Sequence, residues 1–500
     1  MIRSVIVLGG GSAGFLAALT LKTKLPQLNI MVIHSKDIGI IGVGEATTVA
    51  LPKLLHGYLS FDPGDFYRRV ETTWKLGIRF LWGPRPYFDY TFGFQLDWKW
   101  ANLGKFNGFY CDDDFSYVDT QSALMSHNKA FVRRPDGSPM VGINNYAYHI
   151  ENQKFVEFLH QKALERGVTV RDETVDEVLQ DDAGIAGLRV ASGVVRAADL
   201  YVDCSGFRST LLGKTLGEPY TSFKSSLYND RAVTGGWARG SDEPVKPYTT
   251  AESMDHGWCW QIDHLDRINR GYVYSTDFVS DSEAEAEFRR KNPEVTSTRL
   301  VRFSTGRYHR SWVKNVVGIG NSAGFVEPLE STGLAVICDE SRLLAEALSD
   351  ADCHPTPSLM AAYNDIFARE WDAIRFFLAI HFKYNTRFDT PYWRACRADI
   401  DIGSAAAVVD FYRENGPTPY AKTTVLGTND IFGMEGYLCL LVGQKVPYNR
   451  AHKPTPQERL LWRGIQAENR VKALTAVDVA DAYQAVSAPS WQWNTDVFRV

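Results

Sequence analysis

"SVIVLGGGSAGFLAALTLKTKLPQLNIMVIH", residues 4–34, decides the fold. Its first five residues are dominated by β-branched apolar side chains, the composition of a buried strand. A glycine-dense turn follows, then a helical stretch, then a second strand over "NIMVIH". Within the turn, Gly9-x-Gly11-x-x-Gly14 divides the labour. Gly9 permits the tight bend, Gly11 lets the backbone approach a pyrophosphate, and Gly14 allows close helix–strand packing. The helix start then offers free N–H groups and the positive end of its dipole to phosphates. The chain therefore opens with a βαβ dinucleotide-binding unit. The acidic residue that usually ends the second strand and holds a ribose hydroxyl is replaced by His34 and Ser35. The Ser35 hydroxyl is the available substitute.

Working outward, three more turns share this character. "IIGVGEATT" (40–48) is a second glycine-rich turn soon after the second strand. "ADLYVDCSGFRSTL" (198–211) is a strand ending in Asp203 with a tight turn at Gly206. "VVGIGNSAGFVEPLESTGL" (316–334) again reads strand, turn and helix start. Turns so far apart, all at strand C-termini, fit one large cofactor threaded across a discontinuous sheet, which points to a flavin dinucleotide. Between them, residues 60–140 are rich in aromatics, Gly and Pro and read as strands. The spacing over 152–167 predicts a helix, 216–305 is strand-rich with an acidic helical insert at 281–291, and the chain beyond about 356 is mainly helical.

The 45% hydrophobic and 23% charged fractions over 500 residues are those of a globular enzyme, and a net charge of −5 gives no nucleic-acid surface. Seven scattered cysteines (Cys111, Cys204, Cys259, Cys338, Cys353, Cys396, Cys439) form no CxxC, so neither zinc nor a disulfide framework is signalled. No histidine spacing indicates a metal site. Glycines break the N-terminal apolar run before a signal-peptide core forms, and no membrane-spanning stretch is present; a cytoplasmic location is expected.

"TTWKLGIRFLWG" (72–83) alternates Trp74, Leu76, Ile78 and Phe80 with Lys75, Gly77 and Arg79, the period of one strand with one apolar face. Two cations then line the other face. A lysine on a strand face is ordinarily solvated, because burying an ammonium is costly. Arg79 reads as structural. Trp258 and Trp260 alternate on another strand, and core packing is their ordinary use.

The set GGGSAG (9–14), GVGEAT (42–47), WKLGIRF (74–80), DCSGFRS (203–209), GWCWQI (257–262) and GNSAGFVEPLESTG (320–333) resembles the flavin-dependent halogenases of the tryptophan-halogenase type, in order over about residues 1–345. The resemblance implies an α/β, FAD-binding, Rossmann-like monooxygenase-type fold with an antiparallel β substrate cover and a helical C-terminal region. It divides the chain into a halogenase core over 1–350 and a helical part over 351–500 that contributes to the substrate pocket. Such enzymes take FADH2 from a separate NAD(P)H-dependent flavin reductase and use O2 to oxidise chloride or bromide. They pass hypohalous acid through a tunnel to a lysine beside an aromatic substrate, and the resemblance implies an indole or tryptophan-like compound here.

Position by position, the resemblance implies Lys75 and Glu330 as catalytic residues and Thr332 and Gly333 as the halide-binding turn. Gly9, Gly11, Ser12, Ala13, Gly14, Ser35, Gly42, Gly44, Glu45, Ala46, Gly320 and Leu334 become the cofactor contacts, and Trp258 and Trp260 the tunnel wall. Glu330 is then the expected partner of the Lys75 ammonium. Two departures stand out: Asp263 where the family has proline after the tryptophan motif, and Asn321 where many members carry aspartate. Beyond about residue 345 little matches. Two other functions stay open, a flavin-dependent aromatic hydroxylase and a non-catalytic FAD-fold binding protein. A homodimer is a further expectation.

Overall fold

The computed structural model describes residues 1–39, 42, 44–93, 103, 108–111, 116–141, 146–420, 422, 424–426, 430–449 and 452–493. Ile40, Ile41 and Val43 of the 40–48 turn lie outside them.

The opening unit folds as its sequence dictates. Strands Ser4–Leu8 and Asn29–His34 pair in parallel, joined by the helix Ser12–Lys24. That helix is buried on every face from Gly14 to Leu21, which is why it is apolar all round rather than striped. It packs between the sheet and two further helices, Asn152–Glu165 and Gly333–Asp350. The sheet has six strands, in spatial order Trp312–Val313, Val316–Gly318, Leu200–Asp203, Ser4–Leu8, Asn29–His34 and Thr169–Asp172. All pairs are parallel except the Trp312–Val313 hairpin edge. The turns at Gly9, Ser35, Ser205 and Ile319 thus emerge from the same end of this sheet, as one extended cofactor requires.

A second sheet has seven strands, in order Arg299–Arg302, Arg231–Ala238, Arg267–Tyr274, Gly257–Asp263, Thr249–Met254, Gly77–Leu81 and Phe88–Thr91. It is antiparallel apart from the parallel pairing of Thr249–Met254 with Gly77–Leu81. Its inner face and the first sheet's helices share one continuous apolar core.

The 72–83 stretch departs from its expected form. It is two strands, Thr73–Lys75 and Gly77–Leu81, in different sheets. Leu76 is the break: its N–H goes to the Pro247 carbonyl at 2.8 Å and its carbonyl accepts from Phe92 N–H at 3.0 Å, outside either ladder. Thr73–Lys75 instead pairs with Ala147–Ile150, which also holds the short strand Glu45–Ala46. Lys75 and Arg79 therefore do not share a face. Arg79 forms a two-pronged ion pair with Asp89 at 2.8 and 2.9 Å, a structural use.

Beyond residue 356 the described residues are mainly helical, led by Pro357–Lys383, whose Thr356 caps the Leu359 N–H. The expected acidic helix is Asp281–Lys291, closed by a Ser280–Glu283 capping box. No helix among the described residues is long and apolar enough to cross a membrane.

Candidate active site

The cofactor cradle is shaped by what its glycines exclude. A Cβ on Gly14 would sit 1.9 Å from the Gly9 carbonyl oxygen, and one on Gly9 (φ +128°) 2.1 Å from the Cys204 oxygen. The first turn, the first helix and the Leu200–Asp203 strand therefore touch backbone to backbone. The helix Ser12–Lys24 begins at Gly11 with no side-chain cap and no acidic residue in its first turn, leaving its N–H groups and dipole for an anion. Gly320 (φ +65°) approaches Ala13: a Cβ there would lie 3.4 Å from the alanine methyl. Gly44 (φ +82°) is pressed against Asn269 and His264, and Gly42 against Asn152.

Ser35 accepts a hydrogen bond from Thr174 at 2.9 Å at the edge of this cradle, and burial lowers the pKa of the neighbouring His34. Glu45 is half-buried with one oxygen on Asn152 Nδ2, and loss of solvent raises its carboxyl to about 7. Asp203 is spoken for: it accepts from the backbone N–H groups of Ser205, Leu211 and Leu212. An uncapped helix start at the sheet end where Gly9, Gly14 and Gly320 bring backbones together fits a dinucleotide such as FAD, which Gly9, Gly11, Ser12, Ala13, Gly14, Ser35, Ala46, Gly320 and Leu334 could hold.

Lys75 is wholly buried. Its Nζ donates to the Thr47 carbonyl at 3.0 Å and to Ser331 Oγ at 2.8 Å, and lies 5.3 Å from the centre of the Phe92 ring. Desolvation pushes its pKa down from 10.5 to about 7, with the Glu330 charge pulling the other way. The expected direct pairing with Glu330 is not made. Glu330 is also buried, but its Oε1 is 2.7 Å from His381 Nε2. The reason lies in the turn: Ser331 has a left-handed backbone (φ +59°), so consecutive residues point apart, hydroxyl to lysine and carboxylate to histidine.

Thr332 and Gly333 follow directly. Thr332 is the buried N-cap of Gly333–Asp350 and makes no side-chain cap, so this helix also starts with unclaimed N–H groups. Its fifth residue, Ile337, packs near Gly320. One helix start thus links the lysine site to the cofactor cradle. A second link is the 45–47 segment, where Ala46 precedes the Thr47 carbonyl that holds Lys75.

Trp258 and Trp260 are buried with ring centres 6.0 Å apart. Trp258 donates its indole N–H to Glu327 Oε2 at 2.6 Å, and Asn229 donates to the same oxygen at 2.7 Å. Burial raises the Glu327 carboxyl to about 7. The tryptophan strand is thereby tied to the turn that carries Glu330. Asp263 accepts from Arg239 at 2.6 Å and from Gln261 at 3.0 Å, an ion pair almost closed to solvent. Its carbonyl accepts from Thr73, two residues before Lys75.

Ser331, Glu327 and Thr47 sit inside or beside the motifs, yet nothing in residue type separates them from their neighbours. His381 carries no signal at all in the sequence, being one more residue in an apolar helix. Among the described residues, no cluster of histidine, cysteine and carboxylate groups is arranged to hold a metal.

The tryptophan halogenase family model matches residues 4–458. The tryptophan 7-halogenase KtzQ of Kutzneria sp. (strain 744) is 34% identical over 452 residues, covering 84% of each chain. The tryptophan 7-halogenase RebH of Lentzea aerocolonigenes is 31% identical over 481 residues, covering 88% of this chain and 89% of its own. Among solved structures, MibH, a lanthipeptide tryptophan 5-halogenase, superposes with a TM-score of 0.89 at 39% identity, over 98% of this chain and 94% of its own. BrvH, a flavin-dependent halogenase from Brevundimonas sp. BAL3, does so with 0.85 at 26% identity, over 98% and 100%. With nearly its whole length matched by sequence and by fold, the chain belongs to the tryptophan halogenase family and is a flavin-dependent halogenase.

Proposed function

We propose that this enzyme chlorinates or brominates an electron-rich aromatic ring, an indole such as that of tryptophan, by directing hypohalous acid with Lys75 while Glu330 assists. The observation that carries the reading is the burial of Lys75. Its amine is held by Ser331 and Thr47, within reach of the Glu330 charge, beside the start of the Gly333–Asp350 helix, whose Ile337 packs near Gly320. An amine kept so far from water, without a carboxylate bound to it, has a use other than solubility.

FAD, bound in reduced form in the cradle, supplies with O2 the oxidising power that turns halide into hypohalous acid. The unclaimed N–H groups at Thr332 and Gly333 suit a halide ion before that step. Lys75 then holds the acid by hydrogen bond, or takes its halogen as a haloamine in its neutral form, and fixes the electrophile against one ring position. Glu330 stabilises the positive charge that builds on the ring. Trp258 and Trp260 fit a wall between cradle and lysine, because Glu327 anchors one to the turn that bears Glu330. All seven cysteines are buried, which suits the reducing cytoplasm expected for a partner reductase that uses NAD(P)H.

The test is incubation with a flavin reductase, FAD, NADH and chloride or bromide against tryptophan, simple indoles and tryptophan-containing peptides, read by mass spectrometry. Halogen isotope doublets that vanish in Lys75→Ala, with FAD affinity unchanged, are the expected result. Doublets that survive in Lys75→Ala, or oxygen inserted into the ring without halide, would overturn the role proposed for Lys75.

A further inference from the structure

The Glu330–His381 contact goes further than the function proposed above, on which it rests. His381 lies in Pro357–Lys383, far in sequence from every motif, and is wholly buried. Both of its ring nitrogens face oxygens: Nε2 is 2.7 Å from Glu330 Oε1, and Nδ1 is 3.2 Å from the Phe377 carbonyl. A carbonyl only accepts, so Nδ1 carries a proton. Nε2 and Oε1 must then share one more proton between them, on whichever atom it rests. The ring has no freedom to leave this arrangement. Phe80 and Phe377 pack on it at 5.2 and 5.4 Å, and its own carbonyl accepts from Trp82 Nε1 at 2.8 Å.

We propose that His381 is a positioning residue that fixes Glu330 by engaging Oε1 and leaves Oε2 as the atom that takes the proton lost by the substrate ring. Oε2 has no hydrogen-bond partner among the described residues. In the reaction, the ring forms a carbon–halogen bond as the halogen–oxygen bond breaks with its electron pair on oxygen. The ring C–H bond then breaks, its pair returns to the ring, and the proton passes to Oε2. Lys75, Tyr90 and Cys439 all feel the Glu330 charge, and burial raises the pKa of the tyrosine and the cysteine, keeping both neutral.

Proton loss from such a ring is ordinarily fast, so a substrate deuterated at the reacting carbon reports on the base. Steady-state kcat is measured with protiated and deuterated indole for the unaltered enzyme, His381→Phe and His381→Gln, each loaded with FAD. The unaltered enzyme should show an isotope effect near 1. His381→Phe should lose roughly tenfold in kcat with KM little changed and show an isotope effect above about 2, because proton removal has become limiting. His381→Gln, whose amide still reaches Oε1, should return toward 1. His381→Asn, too short to reach it, replaces the phenylalanine variant if that does not fold. An isotope effect near 1 in the variants that cannot reach Oε1 overturns the proposal. No halogenated product from the unaltered enzyme would instead overturn the function beneath it.

Discussion

Lys75 Nζ lies 2.8 Å from Ser331 Oγ, joining residues 256 positions apart and leaving Glu330, the next residue back, to His381. Serine neutralises nothing. The amine is therefore held by two neutral acceptors and closed off from solvent, and its pKa falls to about 7. Near neutral pH it is divided between a charged form that donates to an acid and a free amine that accepts a halogen.

That burial is paid for in stability, with a definite sign. The folded pKa is below the unfolded one, so the unfolded chain binds the extra proton between about pH 7 and 10.5 and stability rises with pH across that window. Below pH 7 the cost is complete, on the order of 5 kcal/mol, less the roughly 1 kcal/mol returned by each hydrogen bond. Lys75→Met should be more stable than the parent by a few kcal/mol at pH 6, with the gap closing toward pH 10. Denaturant melts at both pH values measure it. A gap that widens with pH refutes the assignment.

Glu327 works in the opposite direction. Its folded pKa is raised, so the folded chain holds a proton that the unfolded one has lost between about pH 4.5 and 7, and stability falls as pH rises through that range. Glu327→Gln keeps an oxygen for Trp258 and Asn229 and removes the charge. It should match the parent at pH 4 and exceed it by up to about 3 kcal/mol at pH 8. Equal stability at pH 8 would mean that the carboxylate is solvated there.

Local rules wrote much of this fold. Ser4–Leu8 and Asn29–His34 form as the apolar runs require, and Ser280–Glu283 caps the acidic helix that its spacing announces. The break at Leu76 was not legible, because alternation continues through it and only Pro247, remote in sequence, takes its N–H away. The candidate site divides in the same way. Lys75 and Glu330 stand inside motifs, but that Lys75 turns to Ser331 depends on a left-handed residue in a non-glycine turn. His381 is met only through tertiary packing of a helix whose pattern says nothing except that it is buried.

The cradle can be tested by contrast between two glycines. Gly14→Ala drives a methyl to 1.9 Å from the Gly9 oxygen, and backbone must move at the point where phosphates are expected. Gly333→Ala meets nothing within 4 Å and keeps its N–H. FAD titration by fluorescence should show affinity weakened more than about tenfold in the first and unchanged in the second, since only the first displaces the turn. Equal affinity in both would place the cofactor elsewhere.

Asp263 stands where the resemblance predicts a proline, and its carboxylate is tied into an ion pair with Arg239. Arg239 is nearly as buried as its partner; besides Asp263 it donates to the His264 and Pro244 carbonyls. Removing one member of such a pair strands the other, at a cost of about 3–5 kcal/mol, whereas replacing both with apolar residues is often neutral. Asp263→Ala, and equally Asp263→Pro, should therefore lower stability by that amount, while Arg239→Met with Asp263→Leu should recover most of it. The same melts distinguish a second consequence. The Asp263 carbonyl holds Thr73, so strain at this strand end reaches Lys75 through backbone rather than charge. Halogenation should fall in Asp263→Ala and return in the double variant along with stability. Activity that stays low once stability is restored would show that the carboxylate itself, and not the strand it anchors, matters to the reaction.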